Sequence, residues 1–148
     1  MKYQEILNYG SEILKLNNIK SYNLDSELLL SSILKIDRAQ ILLNLDKEIK
    51  IKEKNFFLNL IKRRKKKEPI AYIIGYKEFW KQKYVTNPSV LIPRPETELI
   101  IEKVLKIFKK NENKNVLDIG TGSGCIILSI LSERKKFRGI GIDLSKRA

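Results

Sequence analysis

The chain has no histidine and only one cysteine, one tryptophan and one methionine in 148 residues. A single thiol, Cys125, excludes an internal disulfide and fits a reducing cytosol. With no histidine and one cysteine, a zinc site of the usual kind is not expected, and no metal ligand set is assigned. The same absence removes Ser-His and Cys-His nucleophilic catalysis from these residues. No window approaches eighteen uninterrupted apolar residues, so no membrane span is read. The start, Met1-Lys2-Tyr3-Gln4-Glu5, lacks the apolar run of a signal peptide. Acidic residues are also scarce, 17 against 30 basic, for a net charge of +13.

Hydrophobic residues make up 43% of the chain, enough for a packed core in one ordinary domain or two small ones. The positive charge is uneven. Residues 62–83 hold nine basic and two acidic side chains, focused on Lys62-Arg63-Arg64-Lys65-Lys66-Lys67. Such a run has two readings. It attracts an acidic partner or a phosphate backbone, or it is a solvated helix end in a lysine-rich composition, since 23 of the 30 basic residues are lysine. Direct nucleic-acid binding is not the expectation.

The first part reads as short helices with short loops, an antiparallel bundle. Ile6, Tyr9, Ile13 and Leu14 recur at helical spacing. Asp25 or Asn23 is a candidate cap for a second helix carrying Leu28, Leu29, Leu30, Ile33 and Leu34, and Asp37 for a third with Ile41, Leu42 and Leu45. A fourth spans about 51–67, burying Phe56, Phe57, Leu60 and Ile61, and Pro69 ends it. The character then changes. Residues 78–85 are aromatic and β-prone, Asn87-Pro88 is a turn signal, and Val90-Leu91-Ile92 is the candidate returning strand of a hairpin. After Pro93-Arg94-Pro95 a helix over about 96–110 is expected to bury Leu99, Ile100, Val104, Leu105 and Phe108. A strand at 115–119, a helix at about 124–133 and a strand at 138–142 follow. The fold class is α/β: a helical domain at 1–72, a β-hairpin linker at 73–95, and the first βαβ unit of a nucleotide-cofactor domain at 96–148.

The chemistry is concentrated in that unit. Val116-Leu117-Asp118-Ile119 runs into Gly120-Thr121-Gly122-Ser123-Gly124, a helix follows, and the next strand ends in Asp143. Glycines let backbone approach a ligand closely, and a strand-end acid accepts hydrogen bonds from ribose hydroxyls. The turn is one residue tighter than the dinucleotide fingerprint, which holds a pyrophosphate. With Asp118 ahead of it, it better suits a ligand without phosphates. S-adenosyl-L-methionine is such a ligand, with Asp118 near its ammonium group and Asp143 on its ribose.

The same segment resembles motif I of class I S-adenosylmethionine-dependent methyltransferases. The resemblance extends upstream. Glu68-Pro69-Ile70-Ala71-Tyr72, Gly75-x-x-Glu78-Phe79-Trp80 and Leu91-Ile92-Pro93-Arg94-Pro95-Glu96-Thr97-Glu98 resemble the hallmark segments of the PrmC (HemK) family of release factor glutamine methyltransferases. The Asp25-x-Glu27-Leu28-Leu29-Leu30 helix is similar to that family's N-terminal domain. The resemblance implies a helical domain that recognises a peptide chain release factor, a connecting hairpin and a Rossmann-like domain that binds the methyl donor. Its implied product is N5-methylglutamine in the release factor's Gly-Gly-Gln loop. It places Asp118, Gly120, Thr121, Gly122, Ser123, Gly124 and Asp143 around the donor, and Arg94, Pro95, Thr97 and Glu98 near the mouth where glutamine meets donor. A rigid entry segment capping a helix is the alternative role for those four.

The family's Asn-Pro-Pro-Tyr signature, whose carbonyls orient the acceptor amide, is not in this sequence. Asn87-Pro88-Ser89 precedes the glycine turn and cannot be that motif. The expectation is therefore a chain truncated inside its catalytic domain and inactive alone, with no catalytic residue to name. Other readings are a glutamine methyltransferase acting on a ribosomal protein, a non-catalytic release-factor-binding fragment, and a nucleic-acid methyltransferase.

Overall fold

The computed structural model describes residues 1–148 and divides into two compact units, Met1–Ile74 and Gly75–Ala148. The first is helical. It contains α1 (Tyr3–Leu16), α2 (Tyr22–Leu34), α3 (Arg38–Leu42), α4 (Ile51–Lys65) and α5 (Ile70–Ile74). In α1 the buried stripe is Tyr3, Ile6, Leu7, Gly10 and Leu14, a spacing of three and four that keeps one face inward. Tyr9, expected in that stripe, points out. The stripe meets Leu29 and Leu30 of α2, Ile41 of α3, and Phe57 and Ile61 of α4. Of the residues expected inside α4, Phe56 is instead exposed, because the inward face is set by Phe57 and Ile61 at i, i+4.

Gly10 is where α1 comes closest to its neighbours. A Cβ there would lie 2.7 Å from the Phe57 ring and 2.8 Å from Ser26 Oγ. Ser26 is fully buried, and its hydroxyl donates to the Leu7 carbonyl at 3.1 Å.

Asp25 does not cap α2. The helix begins earlier, with Ser21 at the cap position, and Asp25 is 2% exposed. Its carboxylate accepts from Arg64 Nε at 2.6 Å and from Ser21 Oγ at 2.9 Å. Arg64 also donates through Nη1 to the Glu68 carbonyl at 2.9 Å, and Arg63 pairs with the Glu68 carboxylate. A buried carboxylate needs this compensation, so two of the six residues in the basic run are committed to holding α4 and its exit. Asp37 does precede α3, as expected. Helix α4 ends at Lys65, and Lys67 takes a positive φ of 65° just ahead of Pro69. The Ile70–Ile74 stretch closes as a single helical turn, with Tyr72 and Ile73 amides donating to the Pro69 carbonyl at 3.0 and 3.2 Å.

The second unit opens with an antiparallel hairpin, β1 (Tyr76–Phe79) and β2 (Gln82–Val85), in register from Tyr76–Val85 to Phe79–Gln82. The return strand is therefore β2, and Val90–Ile92 is not a strand. The connection is the two residues Trp80 and Lys81, with φ of 45° and 63°. Both central residues at positive φ match the right-handed strand twist. Neither is glycine, at a cost of about 1–2 kcal/mol each, and Trp80 offsets it with two hydrogen bonds. Its backbone N–H donates to Glu98 Oε1 at 2.8 Å and its indole N–H to Glu133 Oε1 at 3.1 Å. Lys81 Nζ also reaches Glu133, at 3.3 Å.

A 3₁₀ turn at Pro95–Thr97 leads into α6 (Glu98–Ile107), followed by β3 (Asn115–Ile119), α7 (Cys125–Glu133) and β4 (Arg138–Ile142). Strands β3 and β4 are parallel, with Asn115 opposite Arg138 and Ile119 opposite Ile142, so β3-α7-β4 is a βαβ crossover. Phe79, Tyr84, Ile101, Cys125, Ile130 and Phe137 form the buried cluster. In α6 it is Ile101 that is fully buried, while Leu99 and Ile100 are exposed. Tyr84 and Ser129 share a buried hydrogen bond of 2.8 Å. Arg134, 6% exposed, donates to the Phe108 and Leu105 carbonyls at 2.9 and 2.6 Å, satisfying the end of α6. Helix α7 sits tightly on β4, because a Cβ at Gly139 would lie 2.7 Å from Ile127 Cδ1. The sheet's other face is bare, with Leu117, Ile119, Ile140 and Ile142 all exposed. No helix in the chain is long and apolar enough to cross a membrane.

Gly10 sets two effects against each other. Alanine favours a helix interior by about 1 kcal/mol, whereas overpacking a close-packed site costs about 1–3 kcal/mol. The near contacts at 2.7 and 2.8 Å decide the sign. Gly10→Ala lowers the stability of the helical unit, read as an earlier urea midpoint by far-ultraviolet circular dichroism.

Candidate functional site

The residues of 118–124 and 143 converge at the C-terminal end of the parallel pair. Gly120, Gly122 and Gly124 take φ of 77°, 54° and 74°, a region that costs an ordinary side chain about 1–2 kcal/mol. Gly120 and Gly122 have nothing within 4 Å of where a Cβ would stand. Their backbone therefore faces open space that a ligand can enter.

Three successive amides of the turn are fixed by two successive residues of the other strand end. The Gly120 and Thr121 N–H groups donate to the Ile142 carbonyl at 2.8 and 3.0 Å. The Gly122 N–H donates to Asp143 Oδ2 at 2.8 Å. Asp143 Oδ1 accepts from the Ser145 N–H, also at 2.8 Å. A carboxylate offers about four lone-pair positions, so two accepted bonds leave Asp143 capacity for further donors such as hydroxyls. The Ser145 and Gly122 amides hold its carboxyl below the ordinary value of 3.8. On the strand side, Thr121 Oγ1 donates to Asp118 Oδ2 at 2.9 Å, leaving the other Asp118 oxygen open. Ser123 Oγ is buried without an ordinary hydrogen-bond partner. Its polar neighbour is the Cys125 thiol, which burial pushes up despite that serine's opposing effect. A thiol so shifted is a poor nucleophile.

A cavity of about 360 Å³ adjoins the turn. Thr121, Gly122, Ser123 and Gly124 form one wall, Val85 at the end of β2 with Asn87 and Val90 after it form another, and Arg147 and Ala148 complete the lining, while Asp118, Gly120 and Asp143 lie outside it. The sequence places Val85, Asn87 and Val90 in or after the hairpin and not beside the glycine turn. Asn87-Pro88 was legible as a turn, but nothing local says that the turn returns to the glycines.

None of Arg94, Pro95, Thr97 and Glu98 lines this cavity. Arg94 and Pro95 build the 3₁₀ entry to α6, where the Thr97 N–H donates to the Arg94 carbonyl at 3.0 Å. Glu98 is occupied by the Trp80 amide and lines a separate cleft beside the hairpin turn.

Similarity to known proteins gives this arrangement a context. The family described as PrmC N-terminal domain matches residues 5–75. A release factor glutamine methyltransferase of Buchnera aphidicola subsp. Baizongia pistaciae is 45% identical over 148 residues, 100% of this chain and 53% of the relative. One of Leptospira interrogans is 42% identical over 144 residues, 97% of this chain and 50% of the relative. Residues 5–75 match the PrmC family's N-terminal domain, and the chain as a whole is similar to release factor glutamine methyltransferases. A Coxiella burnetii relative, also named release factor glutamine methyltransferase, is 42% identical over 129 residues. The chain spans about half the length of these curated relatives, 53%, 50% and 47%. The similarity to PrmC-family proteins thus runs past the helical unit and through the glycine turn to the end of the chain.

The Asp143 latch has a defined pH dependence. Its carboxyl is lowered in the folded chain, so the stabilisation is complete above its unfolded value, about 3.9, and is lost as pH falls through the folded value. Carbon-detected NMR of the Asp143 carboxyl is expected to show a midpoint below 3.8, with the Gly122 amide resonance shifting over the same range.

Proposed function

We propose that the chain is part of a protein-glutamine methyltransferase that uses S-adenosyl-L-methionine to methylate the N5 amide in the Gly-Gly-Gln motif of a peptide chain release factor. The observation that carries this reading is the fixed glycine turn with Asp143 latched to it, in a chain whose relatives bear that activity in their names. The residues fit the donor. The turn presents side-chain-free backbone to open space, Asp143 retains lone pairs for ribose hydroxyls, and Asp118 keeps an oxygen for an ammonium group. The βαβ unit is in this reading the first of a Rossmann-like domain.

When bound, S-adenosylmethionine supplies a methyl group already activated on a sulfonium. The chain's own residues bind and orient. Gly120 and Gly122 admit close approach, Asp143 selects a ribose, and Thr121 holds Asp118 in place. In-line placement of this kind supplies much of the acceleration for an already activated donor. No residue among 1–148 is assigned to the acceptor amide. Residues 1–72 are the proposed release-factor recognition domain, the hairpin at 73–95 the connection, and 96–148 the donor-binding part, in the cytoplasm. Arg94, Pro95, Thr97 and Glu98 are proposed to act near the acceptor by holding the hairpin and α6 entry in place, since Glu98 binds Trp80.

In the full-length gene product, S-adenosylmethionine is expected to bind in calorimetry, and Asp143→Ala to weaken it at least tenfold. Unchanged affinity refutes the ribose assignment. Incubation with a release factor and donor should add one methyl group to the Gly-Gly-Gln peptide by mass spectrometry. Transfer to a ribosomal protein instead would redirect the substrate assignment and leave the donor site standing.

A further inference from the structure

The second unit gathers four cations at the end of its sheet remote from the glycine turn, three of them outside any ion pair. Lys114 and Asn115 lead into β3, and Lys135, Lys136 and Arg138 lead into β4. Because the strands are parallel and in register from their first residues, these two entries lie side by side. With Asn113 they line a cleft of about 610 Å³, larger than the cavity at the turn. Five residues of strand, about 16 Å, separate the two.

Three of the cleft's four cations are uncompensated, Lys114 alone being paired. The ion pairs of this unit join Lys81 to Glu133, Lys83 to Glu78 and Lys114 to Glu112. None engages Lys135, Lys136 or Arg138, and all three are exposed. The nearby carboxylate, Glu112, faces its own loop, where it accepts the Lys109 N–H at 2.7 Å and pairs with Lys114 at 3.4 Å. The lining has no exposed apolar anchor. Phe137 is 7% exposed and stacks edge-on against Phe108. Protein partners are held mainly by buried aromatic and apolar anchors. Phosphates are held by lysine, arginine, side-chain amides and backbone N–H groups, and this lining supplies the first three.

We infer that this cleft binds the phosphodiester backbone of a single-stranded RNA, without reading its sequence. The site is independent of the donor cavity. It is also distinct from the basic run at 62–67, where Arg63 and Arg64 already hold Glu68 and Asp25.

Fluorescence anisotropy of a labelled oligouridine titrated with the 148-residue chain tests it. Affinity should fall with salt at a logarithmic slope of about −2, the value for three phosphates on a single strand. Lys135→Glu with Lys136→Glu should weaken binding at least tenfold without moving the thermal unfolding midpoint. Lys65→Glu with Lys66→Glu should weaken it less than threefold. Equal losses in the two variants would reduce the effect to net charge and overturn the site. So would an absence of salt-dependent binding. Tighter binding of a polyglutamate peptide of equal length would overturn it in favour of an acidic protein partner.

Discussion

Residues 142 and 143 hold three consecutive amides of the glycine turn, at 120, 121 and 122. In a parallel pair the strand ends emerge together, and whatever follows each strand must satisfy the neighbouring backbone. Here the Ile142 carbonyl takes two donors, and the Asp143 side chain takes the third. That geometry is available only because the turn residues at 120 and 122 adopt positive φ. It also orients the start of α7, whose packing on Gly139 and the cluster around Ile101 and Ile130 builds the rest of the unit. Loss of the Asp143 carboxylate therefore removes the structural tie to Gly122 together with the proposed ribose contact.

The hairpin is fastened to this unit from the opposite direction. Trp80 joins Glu98 at the start of α6 to Glu133 at the end of α7, and Tyr84 meets Ser129 from beneath. The segment leaving the hairpin then reaches the glycine cavity through Val85, Asn87 and Val90. The conformational cost of Trp80 and Lys81 in a left-handed turn is thus tied to the wall of a cavity formed by residues far away in the chain.

The βαβ unit was the most legible part of the sequence. Both strands fall at 115–119 and 138–142, because short β-branched runs bounded by glycine and polar loops leave little room for another register. The candidate residues from Asp118 to Asp143 converge for the same local reason. The hairpin was less legible. Its turn lacks the Asn-Gly or Asp-Gly pair that marks a two-residue connection, while the turn at Asn87-Pro88, which does form, follows the hairpin instead of joining its strands. In α6, the run of three apolar residues Leu99-Ile100-Ile101 left the choice between Ile100 and Ile101 to the packing partner. Asp25 looked like a cap until its partner, Arg64, 39 residues away, was in place. The cationic cleft draws on two segments about twenty residues apart, which no linear count of charge brings together.

The bare sheet face of Leu117, Ile119, Ile140 and Ile142 sits in a molecule carrying +13. At low ionic strength that charge keeps copies apart by Coulomb repulsion. Electrolyte shortens the repulsion to about 8 Å at 0.15 M and leaves the apolar attraction intact. The colloidal behaviour is consequently inverted relative to proteins that salt into solution: dilute buffer disperses this chain, and added salt drives its copies together.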